Sequence, residues 1–104
     1  MMASRIEALK HMLAQDPKDP TLHYMLGNEY FNGQMLDEAV ATFRQYLALA
    51  DDEGAVYRML AHSLERLGKV EEARQAYRDG LAAATRHHHQ PMIDEYTQAL
   101  KDLN

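Results

Sequence analysis

The chain has 104 residues, 46% of them hydrophobic and 26% charged, which suits one small globular domain and excludes a disordered or low-complexity polymer. Zero Cys excludes disulfides, thiolate metal sites and cysteine nucleophiles, and three Val, two Ile and four Thr leave little for an all-β fold. A net charge of -5 disfavours a nucleic-acid binder, which needs a basic footprint.

Arg5, Glu7 and Lys10 interrupt the opening segment, so no secretory leader is expected there. No run of about 18 apolar residues occurs, so a membrane-free, cytoplasmic protein is the expectation. The first helix is expected over 4–15, with Ile6, Leu9 and Leu13 on one face, ending before Asp16-Pro17. A second begins at Pro20 behind the N-cap Asp19 and carries Leu22, Met25, Leu26 and Tyr30. Asn32-Gly33 is expected to close it, with Gly33 taking the left-handed cap conformation. The third carries Leu36, Ala39, Val40, Phe43, Leu47 and Ala50. A fourth spans about 55–67 and is stopped by Gly68, with Asp51, Asp52 and Glu53 placed to suit its dipole. The fifth spans about 70–85. Pro91 opens a sixth, over 91–103, with Met92, Ile93, Tyr96 and Leu100 facing either repeat two or a second copy.

A shift of 34 residues brings Met25, Leu26, Glu38, Ala39, Arg44, Leu47, Ala48 and Ala50 onto Met59, Leu60, Glu72, Ala73, Arg78, Leu81, Ala82 and Ala84. The same shift run backward sets Lys10, Leu13 and Ala14 on Arg44, Leu47 and Ala48, so the opening helix reads as the second half of an earlier unit. Each unit is a pair of helices. Small residues at Gly27/Ala61 and Ala39/Ala73 let the two approach, and Tyr30/Leu64 and Phe43/Tyr77 fill the space beside them.

His23-x2-Leu26-Gly27-x2-Tyr30 followed by Ala39-x3-Phe43 resembles the 34-residue signature of the tetratricopeptide repeat family. Tyr57-x2-Leu60-Ala61-x2-Leu64 with Ala73-x3-Tyr77 repeats the pattern, and Pro17 falls where the signature Pro would. The departures are His23 for the usual large aromatic, Asp51 and Thr85 for Pro, and no signature after Arg86. The resemblance implies an all-α, right-handed superhelical stack of antiparallel hairpins, about six helices. One domain over 1–104 is expected: a half-repeat at 4–17, repeats at 20–53 and 54–87, and a capping helix at 91–103.

By the same resemblance the first helix of each repeat lines a concave groove that takes a short peptide or helix of another protein. The groove positions are Thr21, Tyr24, Asn28, Phe31 and Asn32, then Ala55, Arg58, His62, Glu65 and Arg66. Tyr24 and Phe31 offer apolar anchors, Asn28 both donates and accepts, and Arg58 and Arg66 suit carboxylates. Against this stands ordinary packing of Tyr24 and Phe31, and a solvated helix face at Arg58, Glu65 and Arg66. The carboxylate clamp of chaperone-binding members is mostly missing: Asn28 matches, but Tyr24 replaces its Lys and Met59 its second Asn. The implied role is an adaptor, co-chaperone or assembly factor; the alternative is a homodimer formed through the flanking helices.

No catalytic residue, cofactor or metal is expected. His87-His88-His89 reads as a polar connector, since consecutive helical residues diverge by about 100° and the position four beyond His87 is Pro91. His11 and His62 lack partners at ligand spacing. Asp37-Glu38 and Glu71-Glu72 occupy the first turn of a helix, where negative charge favours the dipole.

Overall fold

The computed structural model describes residues 2–103 and is all helical among them. Six helices follow in order: α1 Met2–Gln15, α2 Pro20–Asn32, α3 Leu36–Leu49, α4 Ala55–Arg66, α5 Val70–Arg86 and α6 Gln90–Asp102. The helix boundaries match the expected ones to within two residues. Met1 and Asn104, the ends of the expected domain span, lie outside the described residues. The helices fall into two compact units divided between Ala50 and Asp51.

In the first unit α2 packs on both α1 and α3. Its core is Ile6 and Leu9 of α1, Leu22, Leu26 and Tyr30 of α2, and Ala39, Val40 and Phe43 of α3. The three- and four-residue spacing of these side chains gives each helix one apolar stripe. Gly27 brings α2 close to α3: a Cβ there would lie 2.5 Å from Phe43 Cε1. His23, which replaces the large aromatic of the repeat signature, instead bonds the Pro17 carbonyl at 2.8 Å and ties down the α1–α2 turn.

In the second unit α5 packs on both α4 and α6. Val56, Leu60, Ala61 and Leu64 meet Ala73, Ala76, Tyr77, Ala83 and Ala84, and α6 adds Met92 and Tyr96. Gly80 is the close-approach point, because a Cβ there would sit 2.8 Å from Tyr57 Cβ and 2.9 Å from Tyr96 Cε2. Met92 and Tyr96 are buried within their own unit, which resolves for these two side chains what α6 covers.

The left-handed residue of the α2–α3 turn is Gln34 (φ 62°), whereas Gly33 keeps φ -86°. This corrects the expectation for Gly33, and the repeat explains it: Gln34 aligns with Gly68, whose φ is 78°. In both turns the next amide reaches back five residues, Met35 to Tyr30 and Lys69 to Leu64, each at 2.9 Å. His88 (φ 56°) does the same between α5 and α6, where the His89 amide donates to the Ala84 carbonyl at 2.9 Å. The histidine run is therefore a helix–helix turn. Its first member lies 3.1 Å from Asp51 through Nε2, and among the described residues no group of three or more His, Cys, Asp or Glu could hold a metal ion. Among the same residues no helix is long and apolar enough to cross a membrane.

Candidate functional site

The first row of candidate residues belongs to α2. Asp19 fixes its start by accepting the Thr21 amide at 2.9 Å, and Pro20 occupies the first turn, where no intrahelical donor is needed. With Leu22, Leu26 and Tyr30 turned inward, Thr21, Tyr24, Asn28 and Asn32 come to the opposite side of the helix. Tyr24 stays 37% exposed while its ring centroid lies 5.6 Å from that of Tyr46 on α3. Such a pair orients the ring and leaves its outer edge accessible. Asn28 and Phe31 are half-buried. Glu29, at the margin of the row, is taken by Arg5 at 2.7 Å.

Met25 belongs to this row as well and is 44% exposed. Sequence reasoning assigned it to the apolar stripe of α2, because it sits three residues from Leu22. The 34-residue alignment with Met59 held the signal: a flexible thioether recurs at one position of both repeats.

The second row belongs to α4. Its first turn is capped by the Asp52 carboxylate, which accepts from the amides of Gly54 at 2.8 Å and Val56 at 3.1 Å. Arg58, His62 and Glu65 are engaged inside the unit. Arg58 grips Glu95 of α6 through Nε at 2.5 Å and Nη2 at 2.6 Å, a two-pronged charge-assisted pair. The His62 ring meets Tyr77 edge-on, with centroids 6.3 Å apart. Glu65 accepts the Tyr77 hydroxyl. Arg66 is exposed at the last turn of α4, where positive charge suits the helix dipole.

These contacts set the electrostatics. The Arg58 hydrogen bond draws the Glu95 carboxyl below the ordinary carboxylate range, and Glu95 in turn raises Arg58. Burial, followed by the bond to Glu65, pushes the Tyr77 hydroxyl far up. Tyr96, whose ring centroid lies 6.0 Å from that of Tyr77 and whose hydroxyl donates to the Gly54 carbonyl, is pushed up to about 12, chiefly by burial.

Sequence reasoning missed Glu95. It lies 37 residues from Arg58, beyond the last signature residue, so no repeat register pointed from one to the other. The two rows thus differ in character: α2 presents apolar and amide groups, and α4 presents charges already matched within its own unit.

The comparisons with known proteins agree with this anatomy. Over 99 residues, 95% of this chain and 94% of the relative, the chain is 27% identical to the TPR repeat-containing protein PA0015 of Pseudomonas aeruginosa. The solution structure of protein BPP2914 from Bordetella parapertussis superposes with a TM-score of 0.77 at 30% identity, over 94% of this chain and 85% of that one. MamA MSR-1 C2 shares the fold at TM-score 0.69 and 22% identity, over 99% of this chain and 66% of that one. A sequence model of the tetratricopeptide repeat matches residues 55–87, and another matches residues 6–61, just over half of the chain. With that extent of match, and with the small-residue contacts of the repeat in place, the chain belongs to the tetratricopeptide repeat family.

Proposed function

We propose that this chain is a binding module that takes a short peptide or helix of another protein along the first helices of its repeats, since tetratricopeptide repeats are in general protein–protein interaction modules built on a non-catalytic fold. It acts there as an adaptor, co-chaperone or assembly factor in the cytoplasm. The supporting observation is the uncharged row of α2, in which Tyr24 and Met25 are both more than a third exposed. An oriented aromatic supplies contact area at low entropic cost, a flexible thioether adapts to the ligand's shape, and the Asn28 and Asn32 amides match a peptide backbone in both directions. Phe31 completes the row toward the C-terminal end of the helix. On α4, Arg58, His62, Glu65 and Arg66 form a second, charged contact region.

The test is affinity capture from native lysate, followed by calorimetric titration of the captured protein with wild type, Tyr24→Ala and Asn28→Ala. Each variant should weaken binding by about tenfold, as interface anchors do, when measured well below its melting temperature. Unchanged affinity in both variants moves the site away from α2.

A second reading, self-association through the flanking helices, draws on one observation: Met12 of α1 is 49% exposed. Light scattering across a wide concentration range separates the two. A concentration-independent monomer of 11.9 kDa ends the homodimer reading.

A further inference from the structure

The Arg58–Glu95 pair has features of an exchangeable contact. A guanidinium that offers Nε and Nη2 to two oxygens forms a fork that fits any carboxylate, whichever chain carries it. The pair is open to solvent, with side chains 36% and 39% exposed, so a competing anion reaches it without unpacking apolar surface. His62, one turn along α4, adds a second group in electrostatic reach of the same carboxylate.

Nor does α6 depend on the pair for its seat. Tyr96 is buried and donates to the Gly54 carbonyl, and Met92 packs where a side chain at Gly54 would stand. Arg74 also holds the Leu103 carbonyl at 2.8 Å. Three anchors remain when Glu95 lets go.

We infer that Glu95 is a built-in competitor at a carboxylate seat on α4: an acidic side chain of a protein ligand replaces it on Arg58, and α6 thereby sets the strength of recognition. The inference rests on the protein-binding reading and gives it a chemistry, an acidic ligand segment. Charge complementarity selects that ligand. A basic segment meets Arg58 unfavourably once Glu95 is displaced, and a neutral one gains nothing by displacing it.

The experiment uses the full chain, isotope-labelled at arginine and glutamate, and a blocked peptide of alternating Glu and Leu as the probe. A peptide with Gln in place of every Glu is the control. The Glu peptide should shift the Arg58 Nε–H resonance saturably, and the Gln peptide should leave it in place. The variant Glu95→Gln should bind the Glu peptide about two- to fivefold more tightly than wild type, the range by which an exposed pair competes. In wild type the Glu95 carboxyl carbon should move toward an unpaired glutamate as the peptide binds, which keeps the test decisive if the variant folds poorly. Equal affinities, a stationary Arg58 resonance in both proteins, or a stationary Glu95 carbon overturns the inference. Such a result leaves the α2 reading standing, because that is read out separately by Tyr24→Ala and Asn28→Ala.

Discussion

The ring of Phe43 occupies the space that a side chain at Gly27 would need. A Cβ at Gly27 would stand 2.5 Å from Cε1 and 2.7 Å from Cδ1 of a ring that is itself wholly buried. At the equivalent repeat positions the second unit carries Ala61 and Tyr77, both buried, so the tolerance for one methyl differs between two copies of the same repeat position. Gly27→Ala gains about 1 kcal/mol of helix propensity but forces the ring to shift, at about 1–3 kcal/mol. A net loss of about 1 kcal/mol is expected in chemical denaturation. Pairing Gly27→Ala with Phe43→Leu, which frees the space, should make the second substitution cost less in the alanine background than in the wild type. Independent, additive effects would contradict the contact.

Three turns share one conformation but not one residue. Gln34, Gly68 and His88 all take positive φ, and only the glycine does so without strain on its own Cβ. Nothing lies within 4 Å of a Cβ placed on Gly68, so Gly68→Ala has no steric clash to confuse its effect. It should cost about 1 kcal/mol through backbone strain alone. His88→Gly should do the reverse and stabilise by up to about 1 kcal/mol, raising the melting temperature by a few degrees. If His88→Gly destabilises instead, the imidazole has a role that the turn geometry does not supply.

The turns also show what was legible in the sequence. Helix positions and the close-packed small residues could be read directly, because the 34-residue shift compares each position with a second copy. Gly33 misled because glycine is permissive at either position of such a turn, and only the alignment of Gln34 with Gly68 ranks the two. The candidate rows were legible as helix faces, since α2 and α4 each have a clear apolar stripe opposite. Their partners were not. Tyr46 under Tyr24 follows from local helix pairing, but Glu95 on Arg58 depends on the register of α6, which no repeat signature specifies. Periodicity gives the face of a helix, whereas an ion pair between distant helices depends on their relative axial position.

Asp51 and Asp52 are adjacent acids with different work, and a pair of alanine variants should separate them. Asp52 accepts two amides at the start of α4, so Asp52→Ala leaves donors of the first turn unsatisfied and should cost about 1 kcal/mol, within a range of 0.5–2. Asp51 is exposed and meets Arg86 and His87 at 3.1 Å. The Arg86 hydrogen bond holds its carboxyl below the ordinary carboxylate range, so the attraction is present above that range and is lost as the pH falls through the lowered value. Asp51→Ala should therefore change stability little at neutral pH and low salt, and still less at high salt. Equal losses from the two variants at high salt would mean that Asp51 is also a cap.

Tyr96 should make the second unit sensitive to alkali. Its hydroxyl is pushed from 10.0 up to about 12, mainly by burial. Below pH 10 both folded and unfolded chains keep the proton, and this group leaves stability independent of pH. Between about pH 10 and 12 the unfolded tyrosine ionises while the folded one does not, so the unfolded state binds fewer protons and stability falls as pH rises. Tyr77, raised in the same direction by burial and by its bond to Glu65, adds to the fall. Urea unfolding at a series of pH values should show a midpoint steady from neutral pH to about 9 and then declining. Tyr96→Phe should lose about 1 kcal/mol at neutral pH, because the Gly54 carbonyl loses its donor, yet decline less steeply above pH 10. Parallel alkaline slopes in wild type and Tyr96→Phe would show that this hydroxyl ionises as freely in the folded chain as in the unfolded one.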